Sequence, residues 1–317
     1  MNIVFYRAVT FVLILCVFGS LFLAPGCQRK SKTQGEATTG RFKSPDAFRE
    51  YLRDRIICPT DGLTINQCAK FNPDCPSGKK IMAVIDRMIK EGWGQKDIED
   101  AVSLFAQGRP VPIETVANSQ PCPGPGGNLR LDFFIMSQCP YGFRFIDGAL
   151  SEMLRDFGGV LDWEPHFILS HDGGKFSSLH GQPEVDEDTR QVCIYKTWGK
   201  DKWLIYVRCY EKGWLPCAQR QGQATPAEMA QCYLNAANAC VKESKIPEGE
   251  LDVCMKTRAE DFLLQDIALS GKYGANGSPT AVYNCQKKVG GAYPLVFVKP
   301  YICELFPPDK LPSACPK

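Results

Sequence analysis

Sixteen cysteines are spread along the 317 residues, and no two of them form a C-x-x-C pair. Structural zinc sites usually draw their ligands from close cysteine or histidine pairs, and haem attachment needs C-x-x-C-H. Only three histidines occur in the chain. The cysteines therefore predict disulfides, and we expect neither a metal nor a cofactor. The net charge of +2, with no concentrated basic stripe, gives no reason to expect a nucleic acid partner.

The N-terminus has the pattern of an export signal. Arg7 precedes an apolar run from Val9 to Leu23, which is short for a membrane-spanning helix. Small residues stand directly before Cys27, as in a bacterial lipobox. We expect a lipoprotein signal peptide over 1–26, a lipid anchor at Cys27 and a polar tether over 27–42. Plain secretion and a retained anchor are the alternatives.

Three regions follow the tether. Apolar residues recur at helical spacing in three stripes, which predict a three-helix module over 43–108 with a cysteine-rich loop after its first helix. Five prolines and three glycines over 109–128 predict a linker. From 129 to 317 the pattern becomes α/β, so the predicted fold class is α/β with a small helical module before it.

The α/β region begins as a βαβ unit. The run "LRLDFFIM" predicts a buried strand, Pro140 opens a helix to about Arg155, and "VLDWEPHFIL" predicts a second strand. A helical, cysteine-rich insertion is predicted over about 184–270, with a capping box at "TPAE" (225–228). The strand pattern returns at "SPTAVYN" and continues through "KKVGGAYPLVFV".

Cys139 lies between the first strand and the helix, in "FFIMSQCPYG". A cysteine in this place faces the backbone N–H groups and the positive dipole end of the helix, which stabilise its thiolate. The thiolate is the form that attacks disulfides. Cys139 is therefore the first candidate for a catalytic sulfur.

This motif, followed by a helical insertion and "GANGSPTAVYN", resembles the thioredoxin fold in its DsbA-like form over about 129–310. Within it, "HGQPEVDEDTRQVCI" is similar to thiol-reductase relatives with extra cysteines in the insertion. The resemblance implies catalysis at Cys139 and a cis peptide bond into Pro279. It also implies that Pro140, Tyr141, Ser278 and Pro279 contact substrate. The second cysteine of the family is replaced by Gly142.

The helical module has its own resemblance. "LRDRIICPTDGLTINQC" and the helices after it are similar to the CcmH/CycL family of cytochrome c maturation. That resemblance implies a second redox cysteine at Cys58, again without its local partner. Without Cys58 and Cys139, the twelve cysteines from Cys68 onward can close six structural bridges. The alternative is that Cys58 and Cys139 are structural too.

Two functions are consistent with these observations. The first is an exported, lipid-anchored thiol–disulfide oxidoreductase or isomerase of monothiol type, serving cytochrome c or other envelope proteins. The second is an inactive thioredoxin-like module that binds or assembles cysteine-containing exported proteins. Either function implies exported protein thiols or small thiols as partners and a bacterial periplasmic location at the membrane. We expect Cys58 and Cys139 to meet across the linker, each acting as the resolving cysteine of the other through a Cys58–Cys139 bridge.

Overall fold

The computed structural model describes residues 42–56, 63–71, 75–90, 94–96, 98–99, 102, 111 and 113–315. The predicted signal peptide, Cys27, most of the tether and Cys58 lie outside the described residues. Within these ranges, no helix combines the length and the apolar character needed to cross a membrane.

The N-terminal module, which we take as residues 43–108, is helical. Its described helices are α1 (Pro45–Arg55), α2 (Ile65–Phe71) and α3 (Pro76–Lys90), with further helical residues at 95–96, 98–99 and 102. Ser44 caps α1 by accepting the N–H of Ala47. The predicted cysteine-rich loop contains α2, a short helix that the sequence does not predict, and the Cys68–Cys75 disulfide ties the middle of α2 to the residue before α3.

The sheet domain, residues 113–315, begins with β1 (Ile113–Thr115), β2 (Leu129–Ile135), α4 (Pro140–Phe145), α5 (Ser151–Phe157) and β3 (Leu161–Phe167). A π turn over Ile146–Leu150 joins α4 to α5, so the chain stays helical from 140 to 157. A small hairpin, β4 (Ser170–Asp172) and β5 (Lys175–Ser177), leads to the insertion.

The insertion consists of α6 (Gln182–Ala218), α7 (Pro226–Glu243), α8 (Glu248–Thr257) and α9 (Ala259–Tyr273). Gly199 interrupts α6 with a φ of 81°, a conformation that glycine adopts without a steric penalty. The chain then returns through β6 (Thr280–Tyr283), β7 (Lys287–Gly290) and α10 (Leu295–Cys303). These four helices lie between Gln182 and Tyr273, close to the predicted bounds of about 184–270.

The five strands form one sheet in the order β1-β7-β6-β2-β3. β2 and β3 are parallel, while β6 pairs antiparallel with both β2 and β7. A parallel βαβ unit followed by an antiparallel hairpin is the arrangement of the thioredoxin fold. The predicted α/β, thioredoxin-like fold with a helical insertion is thus confirmed.

The last predicted strand is partly wrong. The strand β7 ends at Gly290, and the apolar run from Leu295 forms α10 instead of extending the sheet. Leu295, Val298 and Ile302 are buried on one face of this helix, whereas Val296 is exposed. A short apolar run does not by itself distinguish a strand from a buried helix, and here its packing against the core decides.

The segment predicted as a linker is part of the sheet domain. Its strand β1 pairs with β7, and the Cys122–Cys285 disulfide ties the same segment to the turn between β6 and β7. Cys122 also donates its N–H to the carbonyl of Asn284 at 3.1 Å. The described part of 109–128 is therefore an edge of the sheet and not a free connection between two modules.

Two groups of buried side chains lie on the two faces of the sheet. Phe133 belongs to the larger group and Phe134 to the smaller one, as expected for successive residues of a strand. The larger group also contains Phe48 and Ile85 of the N-terminal module, so the two modules share one hydrophobic core. Cys139 belongs to the smaller group, next to β6.

Candidate thiol–disulfide site

Cys139 is the N-cap residue of α4. Its backbone is extended (φ −84°, ψ 120°), its N–H donates to the carbonyl of Met136 at 3.0 Å, and Pro140 follows at the first helical position. A proline costs no helical hydrogen bond there. The side chain of Cys139 has 0 % exposure. Cys139 thus lies directly at the N-terminal end of α4.

Ser278 and Pro279 lie beside this sulfur. The Sγ atom of Cys139 is 3.5 Å from the carbonyl oxygen of Ser278, across 139 positions of sequence. The Ser278–Pro279 peptide bond is cis, as predicted. The hydroxyl of Ser278 accepts the N–H of Met136 at 2.9 Å, which fixes the loop before Cys139 to the strand entry at β6.

Gly142 stands where a local second cysteine would be. It is buried, and a Cβ atom built on it would lie 3.1 Å from Oγ of Ser278 and 3.4 Å from the carbonyl oxygen of Met136. A contact of 3.1 Å is tighter than side chains normally make. A larger residue at 142 would therefore need the Ser278 hydroxyl to move by a few tenths of an ångström.

Pro140 and Tyr141 complete the set of residues predicted at the site. Both are half-buried on the first turn of α4. Arg144 places its guanidinium over the ring of Tyr141, with 5.1 Å between the guanidinium carbon and the ring centroid. These side chains form the rim next to the buried sulfur.

The described cysteines account for the predicted disulfide framework. Six bridges pair the twelve cysteines from Cys68 onward other than Cys139, which confirms the predicted count; the pairs are 68–75, 122–285, 193–254, 209–240, 217–232 and 303–315. Cys139 is itself disulfide-bonded. Its partner is not among the described residues, because every other described cysteine pairs with another one.

Sequence reasoning missed two acidic residues at the site, Glu184 and Asp188. Both lie in the first turns of α6 with 0 % exposure, and they accept the N–H groups of Gln138 and Ser137, the two residues before Cys139. The spacing of four residues puts the two carboxylates on one helix face. Nothing in the sequence shows that this face is buried, because acidic residues usually face water.

A second polar cluster lies on β2 and β3. Asp132, Glu164 and His166 place potential metal-ligand atoms within 4.8 Å of one another. Each of them already has a partner: Arg130 bonds both carboxylates, and His166 bonds Asp132 and Asp266. This cluster is therefore a network of ion pairs inside the sheet domain.

One family model matches the sequence. Residues 130–232 match the gamma interferon inducible lysosomal thiol reductase (GILT) family, a range that runs from β2 through Cys139 to the first part of the insertion. The match confirms the prediction of thiol–disulfide oxidoreductase chemistry for this part of the chain. It does not include residues 43–108, so the resemblance of the N-terminal module to CcmH/CycL stays a prediction.

Similar solved structures include DsbA proteins of two bacteria. α-DsbA1 from Wolbachia pipientis is 13% identical over 60% of this chain and 91% of its own, with a TM-score of 0.42. α-DsbA2 from the same organism is 13% identical over 58% and 86%, with a TM-score of 0.39. DsbA from Xylella fastidiosa is 12% identical over 61% and 91%, with a TM-score of 0.38. No curated protein matches the chain in sequence.

Proposed function

We propose that this chain is an exported thiol–disulfide oxidoreductase in which Cys139 is the attacking sulfur. The observation that carries the proposal is the position of Cys139, which caps the helical segment 140–157 and lies next to Ser278 and the cis Pro279. Backbone N–H groups at a helix start stabilise a thiolate. The match of this region to a thiol reductase family supports the same chemistry.

The reaction transfers two electrons between sulfurs. The Cys139 thiolate attacks one sulfur of a substrate disulfide, a new S–S bond forms to Cys139, and the other substrate sulfur leaves as a thiolate that takes a proton from water. A second thiolate then attacks this mixed disulfide, bonds to the substrate sulfur and releases the Cys139 thiolate. The net result is one exchanged disulfide.

The second thiolate does not come from position 142. Gly142 has no sulfur, and Ser278 and the Met136 carbonyl lie against it. We therefore assign a monothiol reaction to Cys139, in which a small thiol, the substrate itself or another cysteine of the chain releases the product. A monothiol centre favours isomerisation and reduction of mixed disulfides over net oxidation. Pro140, Tyr141, Ser278 and Pro279 are the proposed substrate contacts.

Cys58 is the proposed internal thiol. It lies outside the described residues, and its role rests on the sequence and on the way the modules pack. The N-terminal module shares its core with the sheet domain, and Arg87 of α3 forms an ion pair with Glu152 of α5. When two modules of one chain stay in contact, the effective concentration of a thiol in one module is high at a thiol in the other. Trapping tests this role: Cys139→Ser should accumulate small-thiol adducts on Cys58, and Cys58→Ser should accumulate them on Cys139.

The cellular setting follows from the sequence. A signal peptide over 1–26, a lipid anchor at Cys27 and a framework of disulfides fit a periplasmic lipoprotein in an oxidising compartment. The proposed substrates are cysteine-containing exported proteins, among them cytochrome c precursors. Growth with a labelled fatty acid tests the anchor, because Cys27→Ser should abolish labelling of the chain.

A binding function without turnover is the second candidate. The complete burial of Cys139 favours it, since a sulfur with 0 % exposure must become accessible before it can react. In this case the chain would hold cysteine-containing segments beside Pro279 without exchanging their disulfides.

Reduction of insulin disulfides by glutathione distinguishes the two candidates. We expect the wild-type chain to accelerate the reaction and Cys139→Ser to reduce the rate to that of glutathione alone. The control is the pair Cys303→Ser and Cys315→Ser, which removes a disulfide but leaves Cys139 in place and should keep most of the activity. An inactive wild-type chain that still binds reduced insulin chains would support the binding function. Activity that survives in Cys139→Ser would refute the proposal.

A further inference from the structure

Two carboxylates of the insertion hold the loop that leads into Cys139. Oε1 of Glu184 accepts the N–H of Gln138 at 2.9 Å, and Oδ1 of Asp188 accepts the N–H of Ser137 at 3.0 Å. The hydroxyl of Ser137 also donates to the backbone carbonyl of Glu184 at 3.3 Å. The start of α6 thus fixes the position of the two residues before the sulfur.

The two carboxylates differ in how fully they are bonded. Oε1 of Glu184 also meets Nδ1 of His180 at 2.8 Å, and Oε2 accepts from the N–H of His180 and from the hydroxyl of Ser178. Oδ2 of Asp188 is buried and makes no hydrogen bond within the part of the chain that the structure describes. A buried carboxylate oxygen without a partner costs more when the group is charged than when it is protonated and neutral. Asp188 is therefore the member of the pair suited to hold a proton.

The surroundings of Asp188 carry negative charge. Burial raises its pKa well above the usual range, the neighbouring Glu184 and Glu187 raise it further, and the hydrogen bonds from Ser137 oppose this only in part. Glu187 pairs with Arg190 at 2.8 Å, and His180, on the loop before α6, pairs with Glu184. Among the described residues, Asp188 itself forms no ion pair.

We propose that Asp188 is a positioning residue for the reaction at Cys139, and that its carboxyl takes up or gives up one proton as the charge on the Cys139 sulfur changes. The proposal rests on the proposed function of Cys139. When a thiolate reduces the disulfide at Cys139, this sulfur leaves as a thiolate and Asp188 takes one proton from water. When the thiolate attacks a new disulfide, its charge passes to the leaving sulfur, and Asp188 returns the proton to water.

Asp188 is connected to the Cys139 sulfur by a short stretch of backbone. Ser137 and Gln138 join the Asp188 contact to Cys139 along the backbone, and Met136, one residue earlier, is bound to Ser278. A negative charge on Asp188 disfavours a second negative charge on the sulfur of Cys139, two residues beyond the Ser137 N–H that Asp188 binds. Two groups that interact in this way titrate as a pair. The pH dependence of Cys139 ionisation therefore also reflects the protonation of the Asp188 carboxyl.

The test is the pH profile of alkylation at Cys139, read by peptide mass spectrometry in the mildly reduced full chain. Asp188→Asn keeps an acceptor for the Ser137 N–H but cannot ionise. We expect the labelling profile to move to lower pH by about one unit, so that labelling at a pH below its midpoint is about tenfold faster. Asp186→Asn is the matched control, because Asp186 lies on the same helix, is exposed and bonds Gln182 instead.

An unchanged profile in Asp188→Asn, or an equal shift in Asp186→Asn, overturns the inference. If Asp188→Asn does not fold, the wild-type chain labelled with ¹³C at its aspartate carboxyls gives the answer. In that experiment at least one aspartate signal should titrate at a different pH in the oxidised and the reduced chain, and identical titrations overturn the inference. Alkylation of Cys139 does not require catalytic turnover. If the alkylation profile shifts in Asp188→Asn but the wild-type chain does not reduce insulin, the proposed function is refuted and the role of Asp188 is not.

Discussion

At the scale of single residues, His166 shows how this domain places charge inside its sheet. Its Nε2 lies 3.0 Å from Asp132 and its Nδ1 lies 2.7 Å from Asp266, and all three side chains are buried. Burial alone would lower the pKa of His166, but the hydrogen bonds to Asp132 and Asp266 raise it to about 9. The imidazolium therefore joins β2, β3 and α9 through charged hydrogen bonds.

This contact makes stability depend on pH in the alkaline range. Because the pKa of about 9 in the folded chain lies above the ordinary histidine pKa of 6.5, the stabilisation is complete below pH 6.5 and is lost as the pH rises to about 9. The shift corresponds to at most about 3 kcal/mol. Urea unfolding at pH 6 and pH 9 should show this loss in the wild-type chain and not in His166→Gln. His171→Gln, on the small hairpin, is the control and should keep the wild-type pH dependence.

At the scale of elements, α7 is the helix whose start the sequence predicts in full. Thr225 accepts the N–H of Glu228 at 3.3 Å, the Glu228 carboxylate accepts the N–H of Thr225 at 2.8 Å, and Pro226 follows the cap. These bonds satisfy backbone donors that the helix itself leaves open. Two disulfides, 209–240 and 217–232, then hold α7 against α6.

Removal of the cap should loosen α7 from its N-terminus. Thr225→Ala should cost about 1 kcal/mol, since a threonine cap contributes roughly that amount. Hydrogen exchange of the amides in the first turn of α7, together with the melting temperature, measures the loss. Thr257→Ala is the matched control: Thr257 is exposed near the end of α8 and bonds only the Val253 carbonyl behind it. Equal effects of the two substitutions would contradict the capping role.

The elements that sequence could predict are those with a strong local signal. The strand before Cys139, the helix opened by Pro140 and the capping box all depend on residues close together in the chain, whereas the cis bond into Pro279 was implied by the family resemblance. The strand β1 could not be predicted, because its pairing with β7 joins positions more than 170 residues apart. Glu184 and Asp188 were missed for the same reason, since only the folded insertion buries them against residues 137 and 138.

At the scale of the whole molecule, the two modules form one body and are not joined by a free linker. Arg87 of α3 pairs with Glu152 of α5, and the second oxygen of Glu152 accepts the N–H of Leu295 at 3.1 Å. The side chain of Glu152 is only 9% exposed, so Arg87 supplies the cation that this buried carboxylate needs. This ion pair holds the N-terminal module against the helix that begins at Cys139.

Loss of this ion pair should release the N-terminal module before the rest of the chain unfolds. Arg87→Met keeps much of the aliphatic chain but removes the charge, and should cost about 1–3 kcal/mol. Limited proteolysis should then cut within residues 45–90 faster than in the wild type. Arg155→Met is the control, because Arg155 is 65% exposed and its ion pair with Asp156 contributes little. Equal rates in both variants would show that this contact does not hold the module.

The strand β1 has a consequence for solubility. An uncovered β7 would present a row of backbone N–H and C=O groups, to which an extended segment of another chain can add as a further strand. The segment 113–122 covers that row, held by the ion pair of Glu114 with Lys288 at 2.8 Å, by the Val116 N–H on the Gln286 carbonyl and by the 122–285 disulfide. A protein proposed to handle unfolded, cysteine-containing chains meets extended segments continually. The three-residue β1 becomes the edge on this side of the sheet, and an edge this short offers an added strand few backbone groups to pair with.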